Sequence, residues 1–329
     1  MAWQEKIEKH LKGVKRNESL KNHTSLGVGG LAQFFYFAKD FDDLIKAVSV
    51  ARNAGAPYRV IGRGTNIIFS DLGFEGLLIV NNSNDLVIDQ ESGRIIADSG
   101  VALSRLILEA ASAGLGGLEP LYGIPGSVGG AIIGNCGAHG VSIGDAVLSA
   151  SLLVSSDKIV SFPSSWFKFG YRTSILKYQK NEAPPVVLKV IFQLQRRRKE
   201  NVLEEIAKYK KWREIHQPLG EKTCGSIFKN PAQTDNIVGT PLKEKSAGYL
   251  LEQVGAKKLR VGDARVSKKH ANWIINAGQA KAIDVRTLIE KMRGLVEDNF
   301  KIILKEEIEY LGVWNEENYI SASGDYRKN

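Results

Sequence analysis

Two glycine clusters constrain this chain more than anything else in it. Gly62-Arg63-Gly64-Thr65-Asn66 follows directly on the apolar run Tyr58-Arg59-Val60-Ile61, and Gly123-Ile124-Pro125-Gly126-Ser127-Val128-Gly129-Gly130 echoes it downstream. Closely spaced glycines let backbone N–H groups approach phosphate oxygens with no Cβ in the way, and successive N–H groups in turn conformations form an anion-binding nest. The pair reads as a two-part cradle for a diphosphate. Neither cluster has the G-x-G-x-x-G spacing of a dinucleotide fingerprint entering a helix, or the G-x-x-x-x-G-K-[ST] spacing of a phosphate loop. Ordinary Rossmann and nucleoside-triphosphatase readings therefore lose ground.

At 329 residues, with 43% hydrophobic side chains, the chain is long enough for two to three domains with real cores. The polar opening Met1-Ala2-Trp3-Gln4-Glu5-Lys6 and the lack of a long apolar run point to a cytoplasmic protein with no membrane partner. Cys136 and Cys224 stand far apart without metal-ligand spacing, so neither a metal site nor a disulfide framework is expected. The net charge of +9 raises nucleic acid as a partner. The densest basic stretch, Arg196-Arg197-Arg198-Lys199 with Lys208, Lys210 and Lys211, is interleaved with Glu200, Glu204 and Glu205, as on a solvated helix face, and argues against it. Excess positive charge also suits anionic small substrates.

Periodicity predicts an α+β chain. Phe34–Ala38 reads as a strand, followed by a helix through Phe41, Leu44, Ile45 and Val48 behind an Asp40 cap, stopped by Gly55 and Pro57. Further strands are expected at 58–61, 76–80, 85–89, 94–98, 146–154 and 186–193, with a helix over 103–113. A charged helix from Asn201 to about Arg213 is expected to link to a third region. That region holds helices over 247–254 and 285–296, the latter behind an Asp284 cap, and a strand over 272–276. The implied boundaries are 1–79, 80–212 and 213–313, with a loose polar tail over 314–329.

Three polar groupings stand out from this frame. Phe169-Gly170-Tyr171-Arg172-Thr173-Ser174 sets an arginine among rings and hydroxyls, which also describes an aromatic-packed surface arginine. Thr223-Cys224-Gly225-Ser226-Ile227-Phe228-Lys229-Asn230-Pro231 lacks the G-x-S-x-G elbow of a hydrolase, leaving a turn serine as the plain alternative. In Leu304-Lys305-Glu306-Glu307-Ile308-Glu309-Tyr310, strand alternation would place Lys305, Glu307 and Glu309 on one face, which a solvated edge would equally explain.

Taken in order, these features resemble the UDP-N-acetylenolpyruvoylglucosamine reductase family. The resemblance rests on Thr24-Ser25-Leu26-Gly27-Val28-Gly29-Gly30, both glycine clusters, Asn135-Cys136-Gly137-Ala138-His139-Gly140, Tyr171-Arg172-x-Ser174 and Arg213 with Gln217-Pro218. It continues through Gly225-Ser226 with Phe228-Lys229-Asn230-Pro231, Ala247 to Glu252, Lys269-His270-Ala271-Asn272 and the segment around Glu307. Arg63, Cys136, His139 and Lys305 depart from the family pattern. The interval from Arg172 to Ser226 looks too short for the additional substrate lid of one branch, so the chain resembles the lidless branch.

The resemblance implies a flavin-binding domain of the vanillyl-alcohol-oxidase (PCMH) type, made of two subdomains, plus a C-terminal α+β substrate domain. It implies non-covalent FAD on Gly62, Arg63, Gly64, Thr65 and Asn66 and on Gly123, Ile124, Pro125, Gly126, Ser127, Gly129 and Gly130. NADPH would be the hydride donor and a UDP-linked enolpyruvyl sugar the acceptor, in a monomer. Arg172 and Glu307 would stabilise the enolate formed by hydride addition, and Ser226 would protonate it. Tyr171, Arg213, Asn230 and His270 would bind substrate. Two other readings remain at this point: a different FAD-dependent oxidoreductase on the same fold, and a basic nucleic-acid or membrane-surface module without flavin.

Overall fold

A computed structural model describes residues 2–178, 183–232 and 246–314. The chain packs as two compact units, each assembled from separated stretches. The first comprises the described parts of Met1–Asn17, Phe34–Arg63 and Gly76–Ile215, the second those of Glu18–Gln33, Gly64–Glu75 and His216–Asn329. Residues 315–329, most of the expected loose tail, lie outside the described residues. No described helix is long and apolar enough to cross a membrane.

The first unit has two cores. One forms on a four-stranded sheet ordered Lys15–Ser19, Leu31–Ala38, Phe74–Asn81, Tyr58–Ile61, the last two strands running parallel. Helices α1 (Trp3–His10) and α2 (Phe41–Ala54) supply Ile7, Leu44, Ala47, Val48 and Ala51 to this core. α2 is bounded as its sequence predicts: the Asp40 carboxylate accepts from the Asp43 N–H at 2.9 Å, and Gly55 closes the helix at φ 68°. The other core lies on an antiparallel sheet ordered Ile159–Pro163, Val147–Leu153, Val186–Gln193, Arg94–Asp98, Leu86–Asp89. Helix α3 (Leu103–Ser112) packs Leu103, Leu106, Ile107 and Ala110 into it.

Helix α4 (Val128–Gly134) opens from the second glycine cluster and is not evident in the sequence. Three glycines in seven residues argue against a helix by propensity. Burial of Val128, Ala131 and Ile132 and a cap from Ser127, whose hydroxyl accepts from the Gly130 N–H at 3.4 Å, outweigh them. Helix α5 (Lys199–His216) is longer than expected and packs into the first unit's core through Val202 and Ile206, where a solvated linker was expected.

The second unit is built on α6 (Ala247–Gln253), α7 (Ala282–Phe300) and a three-stranded sheet of Arg260–Val261, Ala264–Val266 and Ile274–Asn276. α7 buries Val285, Leu288, Ile289, Met292 and Val296, the stripe its 3.6-residue period predicts. Its start differs from expectation. Asp284 lies inside the first turn, bonding back to the Lys281 N–H at 2.9 Å, and the Ala282 and Ile283 N–H groups donate to the Asp71 carboxylate at 2.9 and 3.0 Å. Leu26, Val28 and Ile68 complete this core, which is why two early stretches of chain belong to a late unit. The strand Ile67–Phe69 pairs in parallel with Glu309–Leu311.

Candidate functional site

The two glycine clusters meet within the first unit. A Cβ on Gly62 would lie 2.2 Å from the Ser127 hydroxyl, so the clusters pack edge to edge only because that position has no side chain. Gly123 and Gly126 take φ of 85° and 148°, conformations that favour glycine, and a Cβ at Gly123 would lie 2.8 Å from Arg213 Cδ. Part of the second cluster is committed internally: Ile124 N–H donates to Leu121 O at 3.1 Å, Val128 N–H to Val101 O at 2.9 Å and Gly129 N–H to Ser99 O at 2.7 Å. The chain leaves the first unit between Arg63 and Gly64, so Gly64, Thr65 and Asn66 belong to the second. There the Gly64 carbonyl accepts from the Ser25 N–H at 3.1 Å, and a Cβ on Gly64 would lie 2.0 Å from His23 O.

Arg172 stands at the tip of a two-residue turn closed by reciprocal backbone bonds, Gly170 N–H to Thr173 O at 3.0 Å and Thr173 N–H to Gly170 O at 3.2 Å. Its backbone is left-handed, with φ 54°. Its guanidinium lies 5.7 Å from the centre of the Tyr171 ring, which is 59% exposed, and a Cβ on Gly137 would come within 3.3 Å of Nη1. The turn is tied to the end of α4. Asn135 Nδ2 donates to Gly170 O at 2.9 Å, its Oδ1 accepts from Gly144 N–H at 3.0 Å, and the Ser174 hydroxyl donates to Ile133 O at 2.8 Å.

Arg213, on α5, is 5% exposed and donates from Nε to Tyr122 O at 2.8 Å and from Nη2 to Pro120 O at 3.1 Å. It therefore staples the turn that leads into Gly123. Burial, with the Arg172 charge added, weakens its hold on its proton relative to an ordinary guanidinium. His139, also left-handed at φ 51°, packs on Tyr209 and Trp212 of α5 at centroid distances of 5.0 and 4.7 Å. Burial, helped by the Arg213 charge, pushes its pKa down.

In the second unit, residues 226–229 run between two other segments. Ile227 N–H donates to Asn272 O at 2.9 Å, Glu307 N–H to Ile227 O at 2.8 Å and Lys229 N–H to Lys305 O at 2.8 Å. Ser226 and Glu307, far apart in sequence, are thereby set on neighbouring segments. Asn272, buried, clamps Phe228 with both ends of its amide, at 2.9 and 2.8 Å. Asn66 ties in the first cluster, its Nδ2 donating to Glu307 O at 3.1 Å while its carbonyl accepts from Glu309 N–H at 3.0 Å. The expected strand through 304–310 is regular only at Glu309–Leu311. Of its two adjacent carboxylates, Glu306 is spent on Arg293 in a close ion pair; burial pushes its carboxyl up, opposed by that charge.

His270 lies against Gly248, whose added Cβ would be 2.8 Å from the ring. Its Nδ1 accepts from the Asn272 N–H at 3.2 Å, which fixes the neutral tautomer with the proton on Nε2. Burial, and then the Lys257 charge, lowers its pKa. Asn230 is exposed, and its Oδ1 accepts from Ala247 N–H at 3.1 Å at the start of α6. Arg172, Tyr171 and Arg213 thus belong to the first unit, and Ser226, Glu307, Asn230 and His270 to the second. Asn135 and Asn272 were not singled out as site residues. Both stood only within motifs quoted for the resemblance, and the cap position of Asn135 could not be read because the helix it ends was not evident in the sequence.

Residues 32–162 match the FAD binding domain family, so the glycine cradle belongs to a flavin-binding oxidoreductase. Residues 217–311 match the C-terminal domain of UDP-N-acetylenolpyruvoylglucosamine reductase. Reductases of that name from Halalkalibacterium halodurans and Carboxydothermus hydrogenoformans are 35% and 37% identical to this chain, each over 91% of it and 94% of the relative. The solved structure of the Thermus caldophilus reductase superposes with a TM-score of 0.72 at 33% identity, covering 91% of this chain and 98% of that one. The chain belongs to the UDP-N-acetylenolpyruvoylglucosamine reductase family. The glycine loops are compatible with FAD: an added Cβ would strike the Ser127 hydroxyl at Gly62 and Arg213 Cδ at Gly123, so the two loops keep their close approach only as glycine.

Proposed function

We propose that the chain, acting as a monomer in the cytoplasm, reduces the enolpyruvyl group of UDP-N-acetylglucosamine enolpyruvate to give UDP-N-acetylmuramate for peptidoglycan, with NADPH as hydride donor. Bound FAD supplies the capacity to take up a hydride from one ligand and pass it to the other. Residues 1–79 and 80–212 hold that cofactor, and residues 213–313 bind the substrate together with Tyr171 and Arg172 of the preceding segment.

The substrate's double bond is conjugated to a carboxylate, so hydride addition at its terminal carbon drives charge into the carboxylate. Arg172 meets that charge with a planar fork able to engage two oxygens. Glu307 shares a proton with the same growing anion, and the Ser226 hydroxyl delivers a proton to the carbon bearing the carboxylate, its orientation compensating for weak acidity. Arg213, with two donors spent on Tyr122 and Pro120 carbonyls, contributes chiefly charge. His270 offers its Nε2 proton, and Tyr171 and Asn230 complete the contacts to the nucleotide sugar.

The observation that best supports this reading is the 2.8 Å bond from Glu307 N–H to Ile227 O, which sets the two proposed proton-handling side chains on adjacent segments. Stopped-flow spectra of Ser226→Ala provide the test. Flavin reduction by NADPH should be spared, while reoxidation by the enolpyruvyl nucleotide slows by about 10²–10⁴-fold. Cysteine at position 226 should restore part of the rate. Cys224, two residues away, should not stand in, because its side chain is buried in the core that also holds Ile227 and Phe228. Equal slowing of both half-reactions would make Ser226 a structural residue.

A further inference from the structure

We propose that Asn135 is a positioning residue for the reduction, its side-chain amide setting where the Arg172 guanidinium stands relative to the glycine cradle. The inference rests on the reading of Arg172 as the group that meets the enolate.

Helix α4 joins two parts of the first unit that must keep a fixed separation. Its N-terminus is capped by Ser127, which abuts Gly62 across the cradle; its C-terminus is closed by Asn135, whose N–H bonds back to Ala131 and Ile132 carbonyls. Seven helical residues span about 10 Å. From that end the Asn135 amide reaches in two directions, to Gly170 O at 2.9 Å and from Gly144 N–H at 3.0 Å. Gly170 is the base of the turn whose tip is Arg172, and its N–H and carbonyl are the groups that close that turn. The Gly170 carbonyl thus accepts both from Thr173 N–H and from Asn135.

Three features single out asparagine here. The backbone at φ 43° and ψ 62° is left-handed, which asparagine tolerates better than most residues with a side chain. The amide is 6% exposed, so its donor and its acceptor both need partners, and both have them. Space is closed around it: a Cβ on Gly144 would stand 2.9 Å from Oδ1 and 2.7 Å from the Phe169 ring. The Ser174 bond to Ile133 O is a second tie between the same two elements, and Lys177 Nζ donates to the Arg172 carbonyl at 3.4 Å, but of these bonds only the Asn135 amide reaches the Gly170 carbonyl that closes the turn.

Asn135→Gly is the variant of choice, because glycine keeps the left-handed backbone and removes only the amide. In the FAD-loaded protein, amide exchange at Gly170 and Thr173 should rise by about 10-fold or more, the scale for losing one or two buried hydrogen bonds. Flavin reduction by NADPH should stay near wild type, while reoxidation by the enolpyruvyl nucleotide slows by about 10²-fold, as for a reacting group misplaced by about an ångström. In an Arg172→Ala background the same change should add little further slowing, because Asn135 acts through Arg172. Full additivity, wild-type reoxidation or unchanged exchange would each overturn the proposal. If Asn135→Gly does not yield flavoprotein, Asn135→Asp serves instead. It keeps the acceptor for Gly144 but sets a carboxylate against the Gly170 carbonyl, and the same selective loss is expected, with wild-type reoxidation again contradicting the role. A wild-type protein whose flavin the nucleotide does not reoxidise would sink the functional reading alone, and the exchange experiment would still decide the structural claim about Asn135.

Discussion

A left-handed backbone at an arginine costs about 1–2 kcal/mol, and Arg172 adopts one at the tip of a turn held from both sides. Such a side chain is set for direction as well as charge. Arg172→Lys should therefore be nearly as damaging to reoxidation as Arg172→Ala, since lysine keeps the charge and loses the fork; near-normal turnover of the lysine variant would refute the clamp. His270 invites a pH experiment. Its folded-state pKa is lowered by burial, whereas in the unfolded chain the ring titrates near about 6.5. Below that value the unfolded state takes up the extra proton, so stability falls as pH drops through this window. Urea midpoints at about pH 7.5 and about pH 5.5 should differ less in His270→Gln than in wild type. His139, also lowered, keeps part of the slope, and an unaltered slope would show that His270 titrates alike in both states. The motif order made Arg172, Ser226 and Glu307 legible as candidates. It could not reveal that Arg213 spends its fork on backbone carbonyls, because those acceptors are brought to it only by the folded turn at Pro120 to Tyr122.

Elements were legible where their signals are local. The ends of α2 follow from Asp40 and Gly55 because a cap and a left-handed glycine act within one turn of the helix. The start of α7 does not, because its outside acceptor, Asp71, comes from a stretch far earlier in the chain. Removing it is a test of that element: Asp71→Ala should cost about 1–2 kcal/mol in denaturant unfolding, for two N-terminal donors and a dipole partner lost. A loss under about 0.5 kcal/mol would mean that water replaces it without penalty. α4 escaped notice for the opposite reason, its glycines speaking for a loop while tertiary burial of Val128, Ala131 and Ile132 makes the helix. The charged pattern of α5 concealed a buried stripe of only Val202, Ile206 and Arg213.

At the scale of the whole molecule, retention of the cofactor is the plainest expectation. The cradle offers backbone and small side chains, and His139, the histidine nearest the second cluster in sequence, has its ring against Tyr209 and Trp212. Acid precipitation should release yellow flavin into the supernatant; colour held in the pellet would mean a covalent bond. The interleaving of the two units carries a consequence for synthesis. Leu26, Val28 and Ile68 are made early, yet the core they belong to also takes in Leu288, Ile289 and Ile308, more than 200 residues later. At ribosomal speeds of about 5–20 residues per second, Ile68 waits roughly ten to fifty seconds for those partners. The first unit can collapse around α2 and α3 in the meantime, leaving its own insertions exposed as apolar loops. Until those later residues are made, the core that Leu26, Val28 and Ile68 share with them stays incomplete.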